Sequence, residues 1–175
     1  MQNVSGNLYL SSTDLVGHLN CTYLTELNLK VAKSELQKPK VWDPVLETLA
    51  ERGAAHEQAF IDHLKTLGMP ATVIDGVGLD PKSISATLEA MTRGDAVIVQ
   101  GALQSGAWNG RADVLGRVET PSRFGAWSYE VTDTKLARET KGNTVLQISL
   151  YSDMLSAMQG VEPTAGPRRN PGYEF

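Results

Sequence analysis

The chain has 175 residues and one cysteine, Cys21, so it can form no internal disulfide and no four-cysteine metal or iron–sulfur site of its own. It also has no long apolar run. The longest aliphatic stretch, Ala96-Val97-Ile98-Val99, is far shorter than the roughly 20 residues a membrane-spanning helix needs. The opening Met1-Gln2-Asn3-Val4-Ser5-Gly6 lacks the basic and apolar regions of a secretory leader, and a cytoplasmic location is expected. An excess of basic charge is missing too. The net charge of −4 argues against a generic basic coat for nucleic acid and leaves a local site open. Neither an internal repeat nor a low-complexity tract occurs. With 41% apolar and 21% charged residues, the composition suits a globular domain with a real core rather than disorder.

Periodicity and punctuation predict the elements. Leu8-Tyr9-Leu10 is a short apolar segment, and Ser11 with Asp14 three residues later is a weak form of the capping box. Leu15, Leu19, Tyr23 and Leu27 recur every four residues and predict a helix over about 13–33. Asp43 as cap and Pro44 at the first helical position open a second helix, reaching about Leu67. Leu46, Leu49, Gly53, His56, Phe60 and Leu64 form its stripe, and Gly68-Met69-Pro70 stops it. A short strand over 72–75 and a third helix over 83–92 follow. The period then changes: residues 96–103, 110–118 and 126–136 predict three consecutive strands, with turns at Gly106 and over 120–125. A fourth helix is predicted over 143–158, and the tail carries three of the eight prolines. This order predicts an α/β (α+β) fold, a central mixed sheet flanked by helices, and not a doubly wound nucleotide-binding fold. The chain divides into an N-terminal helical segment over 1–70, a core over 71–160 and an irregular tail over 161–175.

The chemistry concentrates on the second and third predicted strands. Alternation sets Asp133 and Lys135 on one face. Asp113, in Gly110-Arg111-Ala112-Asp113-Val114, can lie beside Asp133 in a meander. Two adjacent carboxylates repel unless a cation or proton joins them. Hard divalent ions such as Mg²⁺ take such oxygens, keep several waters and bind phosphate oxygens. A neighbouring lysine can orient a water or offset charge developing on a phosphoryl group. The set suits metal-assisted hydrolysis of a phosphodiester. The acid-x-lysine pattern itself is cheap, recurring at Asp80-Pro81-Lys82 and Glu139-Thr140-Lys141. Taken alone, Asp133-Thr134-Lys135 also reads as a solvated strand face.

Further features narrow this. Gln147 and Tyr151 are spaced to share one helix face, and His56-Glu57 follows Arg52-Gly53 midway along the second helix. In the order His, Asp, Asp-x-Lys, Gln-xxx-Tyr, the sequence resembles the RecB-like nuclease family of the PD-(D/E)xK superfamily. More narrowly, it is similar to the RecB-family nuclease module that stands alone or precedes a helicase. The resemblance spans roughly Tyr9 to Met158 and implies a restriction-endonuclease-like core. It implies that His56, Asp113, Asp133 and the main-chain carbonyl of Thr134 contact a metal, and that Lys135 is catalytic beside Asp113 and Asp133. Gln147 and Tyr151 then correspond to the helix signature for DNA contact and site support. Mg²⁺ or Mn²⁺ is the implied cofactor, Mn²⁺ being the better match for an imidazole ligand. DNA is the implied partner, with a helicase domain or subunit as a further one.

Cluster-bearing relatives place the first of four cysteines where Cys21 stands. The other three are missing, so no iron–sulfur cluster is expected and Cys21 is expected to be a small buried hydrophobe. Ala112 stands where the superfamily often has proline, while Gly110 supplies the glycine typical of the RecB branch. The core normally closes with a strand after the Gln-xxx-Tyr helix. The proline-rich tail has almost no strand character, and a sheet lacking that strand is expected.

Each residue also has a plainer reading. His56 on an apolar stripe is a core residue or a ligand, and His18 and His63 have no counterpart in the family. Gln147 and Tyr151 are site residues, or helix surface and core edge. Glu57 accepts a hydrogen bond near the site or is solvated, and Glu130 faces away from Asp133. Arg111, Arg138 and Lys141 steer phosphates or are solvated charge. The expected function is a metal-dependent DNA nuclease in repair, recombination or defence. The competing expectation is a non-catalytic DNA-binding or assembly module with a remnant site, and a third is a Mg²⁺-dependent hydrolase of other phosphate esters.

Overall fold

The computed structural model describes residues 1–40, 42–76, 80–133, 142–163 and 168–169, with Asp133, Arg168 and Arg169 described by their backbone alone. The chain opens with two short antiparallel strands, β1 (Gln2–Val4) and β2 (Asn7–Tyr9). Ser5 and Gly6 between them have φ of +52° and +85°, the left-handed pair that a two-residue hairpin of matching twist requires. A Ser-Gly dipeptide carries that turn signal, but a four-residue period does not register it.

The helix expected over 13–33 is two helices, α1 (Ser12–Asn20) and α2 (Thr22–Ala32). Cys21 separates them with an extended backbone, φ −160° and ψ 106°. The break turns part of the predicted stripe outward: Leu19 and Tyr23 are exposed. Cys21 is exposed as well, contrary to the expected buried hydrophobe, because a junction residue lies outside the packed face of either helix. The weak capping box does form, with the Asp14 carboxylate accepting from the Ser11 amide at 2.9 Å and the Ser11 hydroxyl at 2.8 Å.

Helix α3 (Pro44–Thr66) starts as its sequence dictates, with Asp43 accepting from the Val45 amide at 2.9 Å. Its apolar stripe divides. Phe60, Ile61 and Leu64 pack on Val97, Val99 and Val114, whereas Leu46 and Leu49, two turns and more earlier, are exposed. Helix α4 (Pro81–Arg93) is capped by Asp80 and ended by Gly94 at φ +79°.

The main sheet has five strands in the order β3 (Ala71–Val73), β4 (Val97–Ser105), β5 (Trp108–Val118), β6 (Ser128–Asp133) and β7 (Arg168–Arg169). β4, β5 and β6 form the expected antiparallel meander, while β3 runs parallel to β4 and β7 parallel to β6. The sheet is therefore mixed, with helices on both faces. Helix α5 (Gly142–Gln159) and α4 share one cluster, with Met91, Met154 and Leu155 on Ile98, Leu115 and Tyr129. Helix α3 covers Val97, Val99 and Val114 on the other face. Burial of each such side chain contributes about 1.5–3 kcal/mol.

Strand β7 corrects the expectation of a strandless tail. Prolines remove ladder donors only at their own positions, and Arg168 and Arg169 keep theirs, pairing with Thr132 and Asp133. The N-terminal segment is tied to this body through Leu10, whose amide donates to the Ala107 carbonyl at 2.8 Å and whose carbonyl accepts from the Asn109 amide at 2.9 Å.

Candidate functional site

The middle of β4 and β5 departs from regular strand geometry. Their register runs from Val97↔Gly116 to Ser105↔Trp108, but the ladder omits Gln100. Gln100 has φ +56°, a left-handed conformation that a glutamine inside a strand rarely adopts. The sheet face reverses there. Ile98 and Val99 lie in opposite clusters, as alternation requires, yet Leu103 rejoins Ile98 five residues on. On β5, Ala112 and Val114 would share a face in a regular strand, but they belong to opposite clusters. The reversal on that strand falls at Asp113.

The Gln100 side chain reaches two other elements. Its Nε2 donates to Glu57 Oε2 at 3.0 Å, and its Oε1 accepts from Arg111 Nε at 3.3 Å. Arg111 Nη2 donates to the Ile74 carbonyl, and Nη1 is buried with no hydrogen-bond partner among the described residues. Of the two readings for Glu57, the hydrogen-bonded one is correct. Arg111 points its guanidinium inward, where it braces β5 against the end of β3. His56 adjoins Glu57 on α3, half-buried, one turn before Phe60.

Asp113 is half-buried on β5. The β5–β6 ladder runs from Val118↔Ser128 to Val114↔Thr132, and Asp113 and Asp133 are the residues that follow it on the two strands. The side chain of Asp133, and all of Thr134, Lys135, Arg138 and Lys141, lie outside the described residues. Among the described residues, no three His, Cys, Asp or Glu form a ready metal cluster; the Asp133 side chain of the expected trio lies outside those residues. Two carboxylates and an imidazole are a donor set that fits Mg²⁺ or Mn²⁺. Glu130, opposite Gly116, is buried.

Gln147 and Tyr151 meet as their spacing predicts. Gln147 Nε2 donates to the Tyr151 hydroxyl at 3.3 Å, and that hydroxyl also pairs with Ser12 Oγ at 3.3 Å. Tyr151 is buried, and its ring lies on Gly110, where an added Cβ would come within 2.4 Å of a ring carbon. This close approach gives the glycine three residues before Asp113 a physical reason. Tyr151 thus joins α1, β5 and α5 as a support. The decoy His18 pairs through Nδ1 with Thr25 Oγ1 at 2.8 Å in solvent.

Sequence reasoning missed Gln100. Its only signal is a polar residue closing the run Ala96-Val97-Ile98-Val99, followed by Gly101. No protein-family model, curated protein or solved structure matches this chain.

Proposed function

We propose that the chain is a metal-dependent nuclease that hydrolyses phosphodiester bonds in DNA, built on a restriction-endonuclease-like core. The pairing of β5 with β6 carries this reading, because the ladder ends at Val114↔Thr132 and Asp113 and Asp133 come next on the two adjacent strands. The bond from Gln100 to Glu57, beside His56, gives further support by tying α3 to the same region of the sheet.

In this reading Asp113, Asp133 and His56 hold a divalent cation, with the Thr134 carbonyl as a further contact. Such a cation, when bound, draws charge from the scissile phosphate and eases deprotonation of a water. Lys135 orients the attacking water, and its ammonium offsets negative charge on the phosphoryl oxygens. Tyr151 and Gln147 brace β5 from behind. In-line displacement leaves a 5′-phosphate and a 3′-hydroxyl, as the family resemblance implies. A net charge of −4 means that DNA affinity comes from a local groove and its cations rather than from a broad basic face.

The test is cleavage of linear and circular, single- and double-stranded DNA by the purified chain with Mg²⁺ or Mn²⁺. Asp133→Ala and Lys135→Ala, folded as judged by circular dichroism, should each lose about 100-fold or more in rate. Cleavage undiminished by both changes sinks the proposal. DNA binding without Mn²⁺ binding or cleavage would instead identify the non-catalytic module.

A further inference from the structure

The geometry points to Gln100 as a positioning residue that fixes the spacing between the His56 turn of α3 and Asp113 on β5, an inference that rests on the nuclease reading above. With ordinary strand alternation, Val99 facing α3 would send Gln100 to the apolar face that holds Ile98 and Leu103. The left-handed backbone, φ +56°, turns the amide to α3 instead. Residues held in that conformation persist only where the surroundings over-determine them, and such positions gather at functional sites.

The surroundings here are specific. A glutamine amide has a donor end and an acceptor end, so one side chain can serve a carboxylate and a guanidinium at once. Gln100 does so, giving Nε2 to Glu57 at 3.0 Å and taking Arg111 Nε at 3.3 Å. Glu57 is the chain neighbour of His56, and Arg111 lies two residues before Asp113. The clamp therefore joins the two segments that carry metal-binding candidates without using either candidate. It sets the roll and slide of α3 over the sheet at the one level where apolar packing leaves off: Phe60 is the nearest packed residue below it.

The experiment uses the full chain and four variants: Gln100→Asn, Gln100→Glu, Glu57→Gln and the exchange Glu57→Gln with Gln100→Glu. Asparagine tolerates the left-handed backbone but is one methylene too short to span the clamp. Gln100→Glu sets carboxylate against carboxylate, and the exchange restores a donor–acceptor pair with reversed ends. Mn²⁺ affinity is measured by titration calorimetry, beside kcat and KM for DNA and the thermal unfolding midpoint. Gln100→Asn and Gln100→Glu should weaken Mn²⁺ binding about tenfold and lower kcat with KM for DNA unchanged, as expected when a residue supporting a metal site is lost. The exchange should return both to within about twofold of the native chain.

Native Mn²⁺ affinity and kcat in the single variants overturn the positioning role, as does an exchange that folds but recovers nothing. If Gln100→Asn does not fold, the exchange against Gln100→Glu decides alone. A native chain that neither binds Mn²⁺ nor cleaves DNA overturns the nuclease reading itself, and the positioning role with it.

Discussion

A missing atom joins Gly110 to Tyr151. A methyl group at position 110 would come within 2.4 Å of the Tyr151 ring, far closer than carbon atoms rest, and the ring is buried with its hydroxyl tied to Ser12 and Gln147. Gly110→Ala would ordinarily stabilise a strand by stiffening the unfolded chain, but here overpacking wins. The expected loss is about 1–3 kcal/mol, read from urea unfolding; a variant as stable as the native chain would show that the ring shifts freely. Gln159 has the opposite character, a polar side chain with no exposure. Its Oε1 accepts from the Tyr129 amide at 2.9 Å, and its Nε2 donates to the carbonyls of Tyr129 at 3.2 Å and Val161 at 3.1 Å. Gln159→Leu keeps the volume and orphans those groups, for an expected loss of about 2 kcal/mol or more. Unfolding within about 0.5 kcal/mol of native would mean water replaces the amide. The Gln147–Tyr151 pair was legible because helical spacing alone brings the two together. Gln100 and Gln159 were not, because Glu57 and Tyr129, which they join, are distant in sequence, and the left-handed φ of Gln100 leaves no mark on hydrophobic period.

At the scale of elements, α3 is one helix with two environments. Its C-terminal half packs Phe60, Ile61 and Leu64 on the sheet, whereas Val45, Leu46 and Leu49 are 64%, 63% and 55% exposed. Backbone hydrogen bonding is of one kind throughout, so local stability should follow burial. Amides over 48–55 should therefore exchange with deuterium at least about tenfold faster than those over 60–66. Equal protection along the helix would mean that something covers the first half in solution. Some ends of elements were legible, since Asp43-Pro44 and Gly94 act through local chemistry, whereas the cap at Asp80 and Pro81 starts α4 two residues before the expected Ser83. Three features escaped for physical reasons. A single extended residue, Cys21, divides α1 from α2 without disturbing the four-residue period. A two-residue strand, β7, needs only two free amides among prolines. The face reversal at Gln100 and Asp113 breaks the alternation from which strand faces are read. The meander of β4, β5 and β6 was legible because consecutive strands joined by short turns become neighbours; the clamp between α3 and β4 is tertiary and was not.

For the whole molecule, the ionisable groups that tie elements together set the pH range of stability. Burial raises the Asp14 carboxyl, but the Met1 ammonium at 2.6 Å and the Ser11 donors outweigh it and leave the group below its ordinary value. Arg93, at 2.7 Å, and Thr72, at 2.7 Å, lower Asp95 against a weaker effect of burial. Both carboxylates contribute stability above their unfolded values, near 4, which is lost as pH falls through the lower folded values. Tyr129 limits the other end. It has no exposed surface, its hydroxyl donates to the Asp95 carbonyl at 2.8 Å, and burial, helped by the Asp95 charge, pushes its phenol up to about 12. Between the unfolded value near 10 and about 12, the native chain keeps a proton that the unfolded chain has lost. Raising the pH across that window therefore favours unfolding. Tyr129→Phe loses the bond to Asp95 and should be less stable at pH 7, but its stability should fall less steeply between pH 10 and 12. Urea midpoints followed by circular dichroism across that range provide the measurement. Parallel slopes for the two proteins would show that alkaline loss begins elsewhere, and that the joint between β6 and the start of β4 opens before its phenol ionises.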